Sequence, residues 1–129
     1  MTGTMRRSAA IVGIGHTDYV RDHADVRAGK VRTDSNGYAV EAFSKALADA
    51  GLKKRDVDGL IVGAPIVYER AGEVLGLNTR FGDSADAVSA LVKGVMAIES
   101  GAAEVVALVY GNNQRSAGTQ YGGPQAMGG

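Results

Sequence analysis

In the stretch FGDSADAVSAL, Phe81 to Leu91, an apolar segment ends at a Gly-Asp-Ser corner and a helical pattern begins. The free backbone N–H groups of a helix start point outward and favour negative charge. A cysteine at such a corner would be a strong nucleophile. The residue is Ser84, and the chain has no cysteine at all. A serine attacks only when a base takes its proton and an oxyanion hole receives the charge. The surroundings do not read G-x-S-x-G, and the carboxylate of Asp83 next door would repel a developing alkoxide. Ser84 or Asp83 also suits the N-cap of the helix that follows.

Three other stretches hold chemistry-bearing residues. GNNQRS, Gly111 to Ser116, follows a β-prone run and gathers Asn113 and Arg115 into a polar cluster. Arg115 suits an anionic group or a subunit interface equally. VGIGHTD, Val12 to Asp18, has two glycines of a dinucleotide fingerprint, but Asp18 stands where the third belongs, with no helix expected next. His16 and His23 lie seven positions apart, not at the i, i+4 spacing of a helical metal pair. They read as exposed loop residues, and no metal site is assigned.

The elements that position these residues alternate. Ser8 to Ile14 reads as a strand buried on both faces, and His16 to Thr33 as a long loop without a period. Asp34 to Ala50 is a helix with an apolar face through Tyr38, Ala39, Phe43, Ala46, Leu47 and Ala50. Asp34 or Ser35 can cap it, and Gly51 can close it. Val57 to Val62 is a second strand, and Ile66 to Leu75 a short helix interrupted by Gly72. Leu77 to Gly82 holds a very short third strand. Ser84 to Ser100 is the strongest helix, closed by Gly101, and Glu104 to Tyr110 is the fourth strand. Such alternation predicts a mostly parallel sheet with helices on both sides, and ligands beyond the carboxyl ends of its strands.

The bulk properties fit one domain. The chain has 129 residues, 45% hydrophobic and 22% charged, with a formal net charge of zero. That charge argues against a nucleic-acid binder, and the missing cysteines exclude a disulfide scaffold and thiolate metal sites. No apolar run is long enough for a membrane span, so a cytoplasmic protein is expected. Gly118 to Gly129, GTQYGGPQAMGG, has no apolar period and reads as a loop or tail.

AAIVGIGHTDY, ALADAGLKKRDVDGLIVG and AIESGAAEVVALVYG together resemble the amino-terminal half of the thiolase superfamily. The likeness is greatest to sterol-carrier-protein-type thiolases and to lipid-transfer, acetyl-CoA acetyltransferase-like proteins, and it runs from Ala9 to Gly129. It implies a three-layer α/β/α fold. Counting back from Gly101, it places the family's nucleophilic cysteine at Ser84, the one catalytic candidate, with Asn113 and Arg115 as tentative substrate-binding or interface residues.

A lipid-transfer branch without the nucleophile, similar also through NNQRSAGTQYGG, cleaves a carbon–carbon bond in an acyl-CoA by a retro-aldol reaction. That branch works with a small partner carrying an oligonucleotide-fold module and a zinc ribbon. The resemblance therefore implies a lyase of lipid or steroid side-chain degradation. Coenzyme A thioester would be its substrate, with no separate cofactor, and the protein would be a homodimer. A non-catalytic scaffold subunit, or an acyltransferase whose nucleophile has been replaced, are the alternatives. The family's half-unit also needs one further strand, expected beyond Gly129, and supplies its acid and base residues from a second half. The 129-residue polypeptide alone, with an unpaired sheet edge, should therefore self-associate. Sedimentation is the check, and a sharp monomeric boundary with cooperative unfolding counts against it.

Overall fold

The computed structural model describes residues 9–30 and 33–113. Helix α1 is Tyr19–Arg27, and α2 is Ser35–Ala50. Strand β1, Gly59–Val62, is followed by α3, Tyr68–Leu75, then β2, Phe81–Ser84. Helix α4, Ala87–Glu99, leads to β3, Val106–Val109. The strands form one parallel sheet in the order β2-β1-β3, as alternating strands and helices require.

β1 is central and all four of its residues are buried. Alternation along the strand sends Leu60 and Val62 to one face, where they join Ala39 and Phe43 of α2 and Ile66, Ala71 and Leu75 of the α3 region. The other face takes α4, whose buried positions are Ala90, Gly94 and Ala97. Gly94 faces β3 with room to spare: a Cβ there would stand at an ordinary contact distance, 3.5 Å, from Leu108. The arrangement is helix, sheet, helix, the three-layer α/β/α order expected.

The ends of the helices follow local chemistry. The Asp34 carboxylate accepts from the Gly37 N–H at 2.9 Å, and Gly51 closes α2 at φ 69°. Gly76 closes α3 in the same left-handed way at φ 72°. The helical bonding of α3 runs through Gly72 without a break.

Two expectations change. The loop expected over 16–33 contains α1. Asp18 caps this helix by accepting from the Arg21 N–H, and Arg21 pairs with Glu41 of α2 at 3.0 Å. No residue of α1 is buried, so a cap and ion pairs hold it, and apolar periodicity could not have found it. The first strand also fails to form over 9–14. Ile11, Val12 and Ile14 are exposed, and the segment lies along α2 instead. A Cβ on Gly13 would stand 2.6 Å from the Ala46 carbonyl oxygen, and the Ile14 N–H donates to Asp49. A cavity of about 800 Å³, lined by 9–15, α2, α4 and the outer edge of β3, separates the segment from the sheet. Without a ladder partner, an extended apolar run remains irregular.

The amino ends of all three strands meet at Asp58. Its carboxylate accepts from the Val105 N–H at 2.8 Å, the Glu104 N–H at 3.0 Å and Arg80 Nε at 3.1 Å. Partial burial pushes its pKa up, but the Val105 and Glu104 N–H groups and Arg80 outweigh this and hold it below the ordinary carboxylate value. A depressed native pKa adds stability that is complete above the unfolded-state pKa and is lost as pH falls through the native one. Asp58→Ala should cost about 2 kcal/mol, and Asp58→Asn should flatten the loss of stability below about pH 4. Denaturant titrations across that range test both.

Candidate active site at the carboxyl ends of the strands

Three chain reversals meet where the parallel strands end. The Ala85 N–H donates to the Val62 carbonyl at 2.9 Å, and the Gly63 N–H donates to the Val109 carbonyl at 3.2 Å. The loops Gly63-Ala64-Pro65, Ala85-Asp86 and Tyr110 to Asn113 are thereby held side by side. This is the position at which parallel α/β sheets receive ligands.

Ser84 is the last residue of β2, not the cap of α4, and it is exposed. Its N–H donates to Asp83 Oδ1 at 2.8 Å. Among the described residues, no imidazole or carboxylate accepts a hydrogen bond from its hydroxyl, so nothing activates it as a nucleophile. Asp83 is turned to Lys93 of α4, 2.8 Å away. That ammonium, followed by the Ser84 N–H, holds the Asp83 carboxyl below its ordinary pKa. The repulsion expected from Asp83 is therefore countered by a cation.

The N-cap of α4 is Asp86, and its side chain makes no capping bond. The helix start is left with N–H groups that no side chain satisfies. Ala87 follows at φ 42°, a left-handed conformation costing a non-glycine residue about 1 kcal/mol. The Asp86 carboxylate instead lies over Gly63. A Cβ on Gly63 would stand 2.8 Å from Asp86 Oδ1 and 3.1 Å from the Tyr110 ring. Sequence reasoning missed Asp86 because Ser84 and Asp83 supplied a sufficient cap.

Behind Tyr110 opens a second cavity of about 490 Å³. His16 and His23, read from sequence as separate loop residues, both line it, with Tyr19, Tyr38 and Tyr110. The His16 ring stacks on Tyr19 at 4.6 Å, and its Nδ1–H donates to the Thr17 carbonyl at 2.7 Å. Among the described residues, no three His, Cys, Asp or Glu side chains converge as metal ligands. The helix start that a nucleotide phosphate would use is capped by Asp18, so the VGIGHTD stretch makes no phosphate cradle. Asn113 also lines the cavity; its N–H donates to Ser35 Oγ at 3.1 Å, and the Ser35 hydroxyl donates to its Oδ1 at 2.8 Å. Arg115 and the glycine-rich stretch 118–129 lie outside the described residues. No helix among the described residues is long and apolar enough to cross a membrane.

No protein-family model matches the chain. It is similar to the steroid side-chain-cleaving aldolase of Thermomonospora curvata, with 32% identity over 92% of this chain and 30% of that protein. It is similar also to the 17-hydroxy-3-oxo-4-pregnene-20-carboxyl-CoA lyase of Mycobacterium tuberculosis, with 34% identity over 88% of this chain and 29% of that one. Among solved structures it resembles the Ltp2-ChsH2(DUF35) aldolase, at a TM-score of 0.67 and 26% identity, over 92% of this chain and 31% of that chain. The chain thus spans under a third of the length of these relatives. Their names describe aldolases and a lyase.

The two glycines at this end of the sheet and in α3 give opposite expectations. Gly63→Ala meets the movable ends of the exposed Asp86 and Tyr110 side chains and should destabilise by about 1 kcal/mol. Gly72→Ala meets nothing within 4 Å and should stabilise α3 by about 0.5–1 kcal/mol. Urea midpoints for the pair provide the check.

Proposed function

We propose that this chain forms the thiolase-like amino-terminal part of a carbon–carbon lyase. The reaction is retro-aldol cleavage of an acyl-CoA thioester in lipid or steroid side-chain degradation. The observation that carries this reading is the corner after β2. The position to which the resemblance assigns a thiolase nucleophile, Ser84, ends β2 just before the start of α4; among the described residues it has no base, and the chain has no thiol. Retro-aldol cleavage requires a base for the hydroxyl and stabilisation of the enolate, and no covalent thioester. The free N–H groups at the start of α4 suit that developing charge. The names of the relatives support the same reaction class.

On this reading coenzyme A enters as part of the substrate and no separate cofactor is needed. The protein is a homodimer and works with a small partner bearing an oligonucleotide-fold module and a zinc ribbon. The cavity beside β3 receives the further strand that the family's sheet requires. Asn113 and Arg115 are assigned, by the resemblance, to substrate binding or to the subunit interface.

The test is turnover of a β-hydroxyacyl-CoA with a tertiary hydroxyl by the full-length protein, with its partner, to a ketone and a shortened acyl-CoA. Ser84→Ala should keep turnover within roughly a few-fold of the wild type. A loss of about 100-fold or more would instead give the hydroxyl a direct part in catalysis. No cleavage by the wild type would leave the scaffold subunit as the better account.

A further inference from the structure

Helix α1 turns its inner face to a cavity and not to a core. None of its residues is buried, and a helix this short is marginal in water without a packed face. Tyr19, His23 and Val26, at i, i+4 and i+7, share one side of the helix, and all three line the cavity behind Tyr110. The helix is held over that space by polar contacts, the Asp18 cap and Arg21 on Glu41 of α2. Tyr19 is 65% exposed and Tyr110, from the loop after β3, is 52% exposed. Large aromatic rings thus stand open on two walls of one cavity. The Tyr110 ring also reaches Gly63, so the cavity adjoins the carboxyl ends of the strands.

The lining indicates the chemistry of an occupant. At about 490 Å³ the space has the size of a small-molecule site. His16 stacked on Tyr19 at 4.6 Å offers a flat aromatic face. Among the described lining residues there is no lysine or arginine to pair with a phosphate or carboxylate. The one carboxylate, Asp22, is itself paired with Arg21 at 3.2 Å. The other polar groups are hydroxyls, amides and imidazoles. The phenol oxygen of Tyr110 accepts from Asn112 Nδ2 at 3.0 Å, so its own O–H is the donor left for a ligand oxygen. Flat walls with such groups suit an uncharged, rigid ring system that bears a carbonyl or hydroxyl oxygen.

We propose that this cavity binds the ring end of the acyl group, a fused-ring ketone or alcohol, with the Tyr19, His23 and Val26 side of α1 packed against it. The choice of an acyl group rests on the lyase reading above, and the polyanionic coenzyme stays outside this cavity. The ring system gives α1 the apolar partner that the fold does not supply. Binding therefore stabilises the helix by linkage.

The experiment uses the full-length protein with its partner and androstenedione as the probe, with equilibrium dialysis for affinity and hydrogen exchange for α1. Saturable binding is expected, together with slower exchange of the amides of Tyr19–Arg27. Tyr19→Ala should weaken binding by about three- to tenfold. Val20→Ala, on the same helix but outside the lining and 82% exposed, should leave it unchanged. Neither side chain is buried, so the fold does not depend on either. Absence of saturable binding overturns the proposal. So does binding that leaves the exchange of α1 unaltered, a Tyr19→Ala affinity equal to the wild type, or displacement of the probe by adenosine. Cleavage of the acyl-CoA is read separately. A wild type that cleaves it without binding the probe loses the ring site alone, and one that binds the probe without cleavage keeps the ring site and loses the lyase reading.

Discussion

The Asp58 carboxylate is the constraint on which the sheet depends. Parallel strands share no tight turn, so their relative register has to be fixed by something other than the connections. Asp58 lies just before β1 and binds the entry of β3 through two backbone N–H groups and the entry of β2 through Arg80. Its own carbonyl accepts from the Arg80 and Phe81 N–H groups, and its N–H donates to Val105. One residue thereby aligns both neighbours of the central strand. With strands of four residues each, alignment at the amino ends determines what meets at the carboxyl ends. Gly59 pairs with Phe81 and Val106, so Val62 pairs with Ser84 and Val109. The loops after these residues are brought together as a consequence.

Charge is divided between the two ends of the sheet in a related way. At the amino ends the carboxylate is surrounded by donors and acts as a strut. At the carboxyl ends Asp83 is taken up by Lys93, which also anchors α4 beside β2. Asp86, three residues later, is left without a donor, and the backbone following it adopts the unfavourable φ of Ala87. Strain of this kind and an uncapped helix start both work against stability. Their coincidence at one corner sets it apart from the starts of α1 and α2, each of which has a side-chain N-cap.

Much of this was legible in the sequence where burial and local chemistry agree. Asp34 and Gly51 mark the limits of α2, Gly76 ends α3, and the apolar runs in β1 and β3 read as buried strands. The apolar positions of α4 were legible too, although its start lies at Ala87 and not at Ser84. Helix α1 was not legible, because Asp18 and Arg21 hold it through polar contacts that leave no apolar period. The cluster of His16 and His23 with Tyr110 was hidden for the same reason, since a loop gives no basis for placing both rings on one cavity. Asp86 was obscured by its neighbours: three polar residues within four positions each fit a cap, and only the direction of the side chain separates them.

The segment Ala9 to Ile14 shows the limit of reading burial from composition. Its apolar residues describe the surroundings that the sequence requires, and Ile11, Val12 and Ile14 are instead 73%, 62% and 73% exposed. The cavity between this segment and β3 is lined almost wholly by apolar side chains of α2, α4 and β3. Exposing such a surface opposes folding in proportion to its area, and the outer edge of β3 adds unpaired backbone groups. An extended segment alternating apolar residues to both helical layers would remove both costs at once, because it could pair with β3 and fill the space beside Ala9 to Ile14. The relatives are more than three times as long as the matched region.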